Sequence, residues 1–316
     1  MQFYSQDSFK ATKDRCSFPL TERSLMTSLI KYFFLSFQLT LAPAVTAITI
    51  RDDVSDSEYR IDASEFPALV DLPGEGHGVL ITPKWIITAA HAITWQHCIE
   101  EVVINGTPRE IDKLVIHPGY KKTPQRMIDE ALETGDASEI EALLATSDDI
   151  ALIKLSQPVA DANPVGIYRE NDEQGQIVKL IGKGATGTAD LGHDPKGPNR
   201  TELRRAFNII SSTQSRWLGY EFDQAPDALP LEGMTTNGDS GCPVLIEVDG
   251  QWLLAGLTSW KHAEDVDIRT FRPGTYGQTS YSIRLSHYVS WIDTMISNHS
   301  SIQQSVKAES DGSSTK

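Results

Sequence analysis

Residues 80–91 read Leu80-Ile81-Thr82-Pro83-Lys84-Trp85-Ile86-Ile87-Thr88-Ala89-Ala90-His91, an apolar stretch that predicts a strand delivering a histidine at its end. Short apolar runs of the same kind recur between turn residues at 78–88, 102–104, 113–116, 150–155, 177–181, 242–247, 252–259 and 278–283. Their β-branched content and spacing predict an all-β sandwich or barrel pair. No internal repeat interrupts this pattern. Residues 286–298 place Tyr288, Val289, Ile292, Met295 and Ile296 at helical spacing, so one helix is expected to close the domain. The remaining 299–316 are polar and Ser-rich, and are expected to be disordered.

The chain has 316 residues, 40% hydrophobic and 22% charged, enough apolar material for a packed core. Lys and Arg total 28 against 43 Asp and Glu, a formal net charge of −15, which argues against a nucleic-acid partner held by counterion release. Residues 26–47 carry Lys31, an apolar run from Tyr32 to Ala42 and small residues ending at Ala47, the pattern of a secretory signal peptide. That run is too short and too interrupted to span a bilayer, so it is expected to be removed, with 1–25 lying upstream of a natural start at Met26. A secreted protein clear of the membrane follows. Removal leaves Cys98 and Cys242, which excludes a small disulfide scaffold and leaves open whether the two are bonded. Asn105, Asn199 and Asn298 head Asn-x-Ser/Thr sequons.

From Met127 through Asp149 there are eight acidic residues and no basic ones, with Ile128, Leu132, Ile140, Leu143 and Leu144 at helix-like spacing around Gly135. This insertion predicts a solvated helical hairpin, or an acidic rim on a nearby cleft that repels anionic substrates. Just after it, Asp149 leads directly into the apolar run Ile150-Ala151-Leu152, where a carboxylate is drawn inward. At Asn237-Gly238-Asp239-Ser240-Gly241-Cys242-Pro243 a serine stands between glycines that permit a tight, φ-positive loop with exposed backbone N–H groups.

Taken jointly, these segments resemble the trypsin and chymotrypsin family of serine peptidases across nearly all of 48–298. The matching marks are Thr88-Ala89-Ala90-His91, Asp149-Ile150-Ala151-Leu152, Gly238-Asp239-Ser240-Gly241, Leu257-Thr258-Ser259-Trp260, Pro273-Gly274-Thr275-Tyr276 and Tyr288-Val289-Ser290-Trp291-Ile292. The resemblance implies two packed six-stranded antiparallel β-barrels, about 48–170 and 171–285, with the C-terminal helix at 286–298. It implies Ser240 as nucleophile, His91 as general base and Asp149 as the carboxylate that orients His91, with Ser259 helping to hold that aspartate. Asp148 is the alternative carboxylate. Backbone N–H groups of Gly238 and Ser240 would take the oxyanion. Asp239 would pair with a freed apolar N-terminus, either Ile48 after signal removal or Ile61 after Arg60, and the longer interval to His91 from Ile48 fits the family better. A monomer acting on protein or peptide substrates is expected, without metal or organic cofactor.

The sequence also departs from the pattern. Cys242 replaces the second glycine after the nucleophile, Gly76 and Ala92 stand where a disulfide beside the histidine is common, and Lys183 replaces a tryptophan. Met234 aligns with the base of the primary pocket, so cleavage after Arg or Lys is disfavoured. Trp260 and Lys261 fall on the pocket wall, with Gly274 expected opposite. A basic mouth at Lys261 suits Glu or Asp, whereas apolar Met234 suits a medium hydrophobe, the preferred expectation. The rival functions are a catalytically silent homologue that binds a partner, an α/β-hydrolase, whose motif Cys242 breaks and whose residue order is wrong, and a metal hydrolase, for which the eight histidines show no ligand pairing.

Overall fold

The structure, a computed structural model, describes residues 48–95, 99–194 and 202–312. Residues 1–47 with the expected signal segment, Cys98 and Asn199 lie outside the described residues. Six strands, Leu69–Asp71, His77–Thr82, Trp85–Ala89, Glu101–Ile104, Thr107–Ile116 and Ile150–Leu155, close into an antiparallel barrel. Trp85–Ala89 and Ile150–Leu155 are buried along their whole length, which is why their sequences run almost continuously apolar instead of alternating. Lys154 is the one charged exception, and its ammonium reaches Asp112 at 2.9 Å.

The second half differs from expectation in strand count. It is a seven-stranded sheet in the order Arg204–Ile209, Ile177–Gly182, Pro243–Val248, Gln251–His262, Thr279–Arg284, Trp217–Glu221, Ser212–Gln214. Its ends curl toward each other: the Asn208 amide donates to the Glu221 carbonyl at 2.8 Å and the Ser211 N–H to the Gly219 carbonyl at 2.9 Å. A separate four-stranded sheet joins Gly192–His193, Thr186–Thr188, Ile48–Ile50 and Gly233–Met234. Ile48–Ile50 therefore belongs with the second half, not with the first barrel as the 48–170 boundary implied. Its residues are wholly apolar or hydroxyl-bearing and fully buried, so their cheapest position is between two strands.

The insertion is a helical hairpin, Gln125–Thr134 and Ser138–Ala145, turned at Gly135, whose φ of 85° is the left-handed C-cap that glycine tolerates. It is not merely solvated. The Gly135 carbonyl accepts from Ile268 N–H, the Glu133 carbonyl from Arg269, the Ala145 carbonyl from the Trp217 indole, and Glu141 faces His262 at 2.9 Å. The C-terminal helix runs Leu285–Gly312, well past 298. Between Leu285 and Gly312 there is neither proline nor glycine to stop the helix. Leu285, Tyr288 and Ile292 bury themselves in the same core as the first barrel. No helix among the described residues is long and apolar enough to cross a membrane.

Candidate active site

Strand register brings the first two groups together. Ala89 pairs with Ile150, so the chain leaves one strand toward His91 where it enters the next from Asp149. His91 lies in the helical turn Ala90–Thr94. Asp149, 4% exposed, accepts the His91 backbone N–H at 2.8 Å and its Nδ1 at 2.6 Å. The Ser259 hydroxyl donates to the same carboxylate at 2.6 Å. On the other edge of the ring, His91 Nε2 meets Ser240 Oγ at 2.7 Å. Burial alone pushes the imidazole toward lower pKa, but the charge and hydrogen bond of Asp149 outweigh it and hold His91 above its ordinary value. Asp148 is engaged elsewhere, with the Tyr288 hydroxyl at 2.8 Å and Arg216 at 3.1 Å.

The nucleophile loop is built against the first barrel. Gly241 has φ 77°, and a Cβ there would sit 2.1 Å from the His77 carbonyl, so only glycine lets the loop approach that strand. Gly238 also has positive φ, 89°. Among the described residues neither the Gly238 nor the Ser240 N–H donates to a backbone carbonyl, which leaves both donors available.

His77 was not anticipated by the sequence reading. Its backbone N–H donates to the Ser240 carbonyl at 2.7 Å and its Nδ1 to the Gly238 carbonyl at 2.8 Å. Behind it stands Asp71, 3.4 Å from Nε2 and bound by Lys183 at 2.8 Å. Lys183, which weakens the sequence match, thus has a partner of its own. The only sequence signal for His77 is a histidine opening an apolar strand, as His91 ends one.

A family model described as Trypsin matches residues 56–292. The chain belongs to the trypsin family. Kallikrein 1-related peptidase b3 of Mus musculus is 26% identical over 240 residues, covering 70% of this chain and 80% of its own. A solved structure of neuropsin, a serine protease expressed in the limbic system of mouse brain, matches with a TM-score of 0.54 at 18% identity over 75% of this chain and 98% of that one. That likeness concerns the fold alone.

In this trypsin-family chain, Asp239 is fully buried and takes donors from Gly184 N–H at 2.8 Å and from Thr236 N–H and hydroxyl at 2.8 and 2.9 Å. With Ala47 still attached, Ile48 has no free amine, and no bond from it to Asp239 is among these. Cys242 is a free, buried thiol, its pKa pushed well up by burial and by the Asp239 charge, which makes it an inert packing residue. His77, Asp239 and Cys242 bring potential metal ligands within 4.8 Å. Those atoms already serve Gly238, Gly184 and Thr236, and an ion would have to displace them.

Two specificity expectations change. Lys261 pairs with Ser280 across the sheet, and Trp260 with Tyr281. Gly274 lies elsewhere: a Cβ on it would meet Thr49 Oγ1 at 2.2 Å and His193 Nδ1 at 3.1 Å. Residues 273–276 precede the strand Thr279–Arg284, which leads directly into the helix starting at Leu285. Met234 is fully buried in the second core and pairs with Thr49. Trp260 stacks on Tyr281 at 4.3 Å between ring centroids, with Trp217 edge-on at 5.9 Å.

Proposed function

We propose that this chain is a secreted endopeptidase that cleaves peptide bonds through an acyl-enzyme on Ser240. The observation that carries the reading is the continuous chain from Ser240 Oγ to His91 Nε2 at 2.7 Å and from His91 Nδ1 to Asp149 at 2.6 Å. Ser240 attacks the scissile carbonyl as His91 takes its proton, the Gly238 and Ser240 N–H groups hold the oxyanion, and His91 returns the proton to the leaving amine. Water then repeats the sequence on the ester. Asp149 keeps the productive tautomer and stabilises the imidazolium.

Secretion is supported by the 26–47 segment. Signal removal after Ala47 would free the Ile48 amine. Ile48 pairs with Thr186, close along the chain to Gly184, which already donates to Asp239, so that amine would start near the carboxylate. Labelling of the secreted protein by a fluorophosphonate, blocked in Ser240→Ala, tests the reading. Absence of labelling in folded wild type favours a silent binding homologue instead.

A further inference from the structure

We infer that the primary pocket selects substrates with an acidic side chain at the cleaved residue, and that Lys261 is the cation that recognises it. The inference rests on the endopeptidase reading and names its substrate class.

Lys261 follows the bulge between Thr258 and Trp260, two residues beyond the serine that holds Asp149, on a strand linked to the nucleophile loop by Gly241 N–H to Thr258 carbonyl and Thr258 N–H to Cys242 carbonyl. The other buried or half-buried lysines each have a partner for the ammonium: Lys154 has Asp112, Lys183 has Asp71, Lys84 has the Ser156 carbonyl and Lys179 has the Trp252 ring. Lys261 is half-buried and, among the described residues, its ammonium makes neither a hydrogen bond nor an ion pair. A lysine withdrawn from water without a counter-ion is costly unless a partner arrives. The charges that sense it define its surroundings. Asp239 attracts it from behind the oxyanion loop, while its own charge bears on the imidazoles of His91 and His193. Lys261 lies two residues along the strand from Ser259, whose hydroxyl bonds the carboxylate that holds His91.

Beside the stacked Trp260 and Tyr281 rings, the surroundings of Lys261 carry several hydroxyls. Thr235 Oγ1 lies 3.1 Å from the Tyr220 hydroxyl and 3.4 Å from Ser280 Oγ, the residue opposite Lys261. Thr258 Oγ1 is buried without a partner. His193, buried and neutral, accepts the Asn237 N–H and adds no charge. One ammonium among hydroxyl donors suits a carboxylate, which accepts at two oxygens, and suits a medium hydrophobe poorly. The acidic hairpin does not oppose this: Glu141, its part-buried carboxylate in contact with this strand, is taken up by His262 at 2.9 Å, and its exposed carboxylates act through solvent screened over a Debye length of about 8 Å.

The test uses peptides with both termini blocked, so that no terminal carboxylate substitutes for a side chain, differing only in Glu, Asp, Gln, Ala, Leu or Arg at the cleaved residue. Wild type is expected to show kcat/KM for Glu or Asp about tenfold or more above Gln and Leu. Lys261→Met, which retains the apolar stem, should bring the Glu to Gln ratio to about one, and Lys261→Glu should turn preference toward Arg, with folding of both variants checked by thermal melting. Preference for Leu, Ala or Arg in wild type, or a Glu to Gln ratio that survives Lys261→Met, overturns the inference. Failure of wild type to react with a fluorophosphonate overturns the peptidase reading itself, and this inference with it.

Discussion

His77 donates from Nδ1 to the Gly238 carbonyl and from its backbone N–H to the Ser240 carbonyl, so a single residue grips the nucleophile loop at two carbonyls one residue apart from Asp239. Holding those carbonyls fixes the peptide units that flank the Gly238 and Ser240 N–H groups, which donate to no backbone carbonyl among the described residues. His77 is a positioning residue, acting through the loop. His77→Ala should lower kcat by about 10²-fold, the order lost with one oxyanion donor, while KM changes little. His77→Gln, whose amide can still donate, should recover part of kcat. Equal losses in kcat and kcat/KM, expressed per active site titrated with a fluorophosphonate, check the assignment, since partial unfolding would lower the titratable fraction and leave the turnover of each folded molecule unchanged.

The same network sets an acid limit on stability. Burial pushes Asp71 up, but hydrogen bonds from His77 and Lys183 and their charges prevail and bring its pKa from 3.8 to about 2. A carboxylate depressed in the folded state stabilises fully above its unfolded pKa and loses that contribution as pH falls toward the folded value. The difference in melting temperature between wild type and Asp71→Asn should therefore be largest at neutral pH and shrink between about pH 4 and pH 2. A difference constant across that window would refute the linkage.

Asp149→Asn should lower kcat by about 10⁴-fold by losing the productive tautomer. Because Asp149 is what holds His91 above its ordinary value against burial, its removal should also move the acid limb of the kcat/KM profile to lower pH. Residual turnover measured from pH 4 to 9 reads both effects.

What the sequence could express was governed by local pattern. Trp85–Ala89 and Ile150–Leu155 announce themselves as strands because burial on both faces demands unbroken apolar side chains, and the residues at their ends gave His91 and Asp149. Arg204–Ile209 did not, since it opens with two arginines and carries Asn208. The pairing of Lys261 with Ser280 is likewise a matter of strand register, which no local pattern near Gly274 expresses. His77, Asp71 and Lys183 are joined by tertiary contact alone, which no spacing along the chain encodes.

Arg204 explains why that strand can open on a charge. It is 0% exposed and donates to both oxygens of Asp56, at 2.7 and 3.1 Å, and to the Glu202 carbonyl at 2.8 Å. Arg204→Ala would leave a largely buried carboxylate with only the more exposed Arg60. Denaturant unfolding should show a loss of about 3–5 kcal/mol. Arg204→Lys should not restore it, because an ammonium cannot span both oxygens and the carbonyl in the same fork.

The acidic preference inferred for the pocket should itself depend on pH, in a direction fixed by Lys261. Burial lowers its ammonium from 10.5 to about 8, with Asp239 opposing. The charged form recognises a carboxylate, so selectivity should be full below about pH 7 and fade as pH passes about 8. His91, raised by Asp149 and further by Glu75, and His193, neutral throughout this range, are the other titrating groups near that charge. Deprotonation of His91 governs Glu and Gln substrates alike and cancels in their ratio. The ratio of kcat/KM for Glu over Gln, measured from pH 6 to 10, should therefore fall along a single titration near pH 8 in wild type and stay flat in Lys261→Met. A ratio that holds to pH 10 in wild type would mean that the discriminating cation is not this lysine.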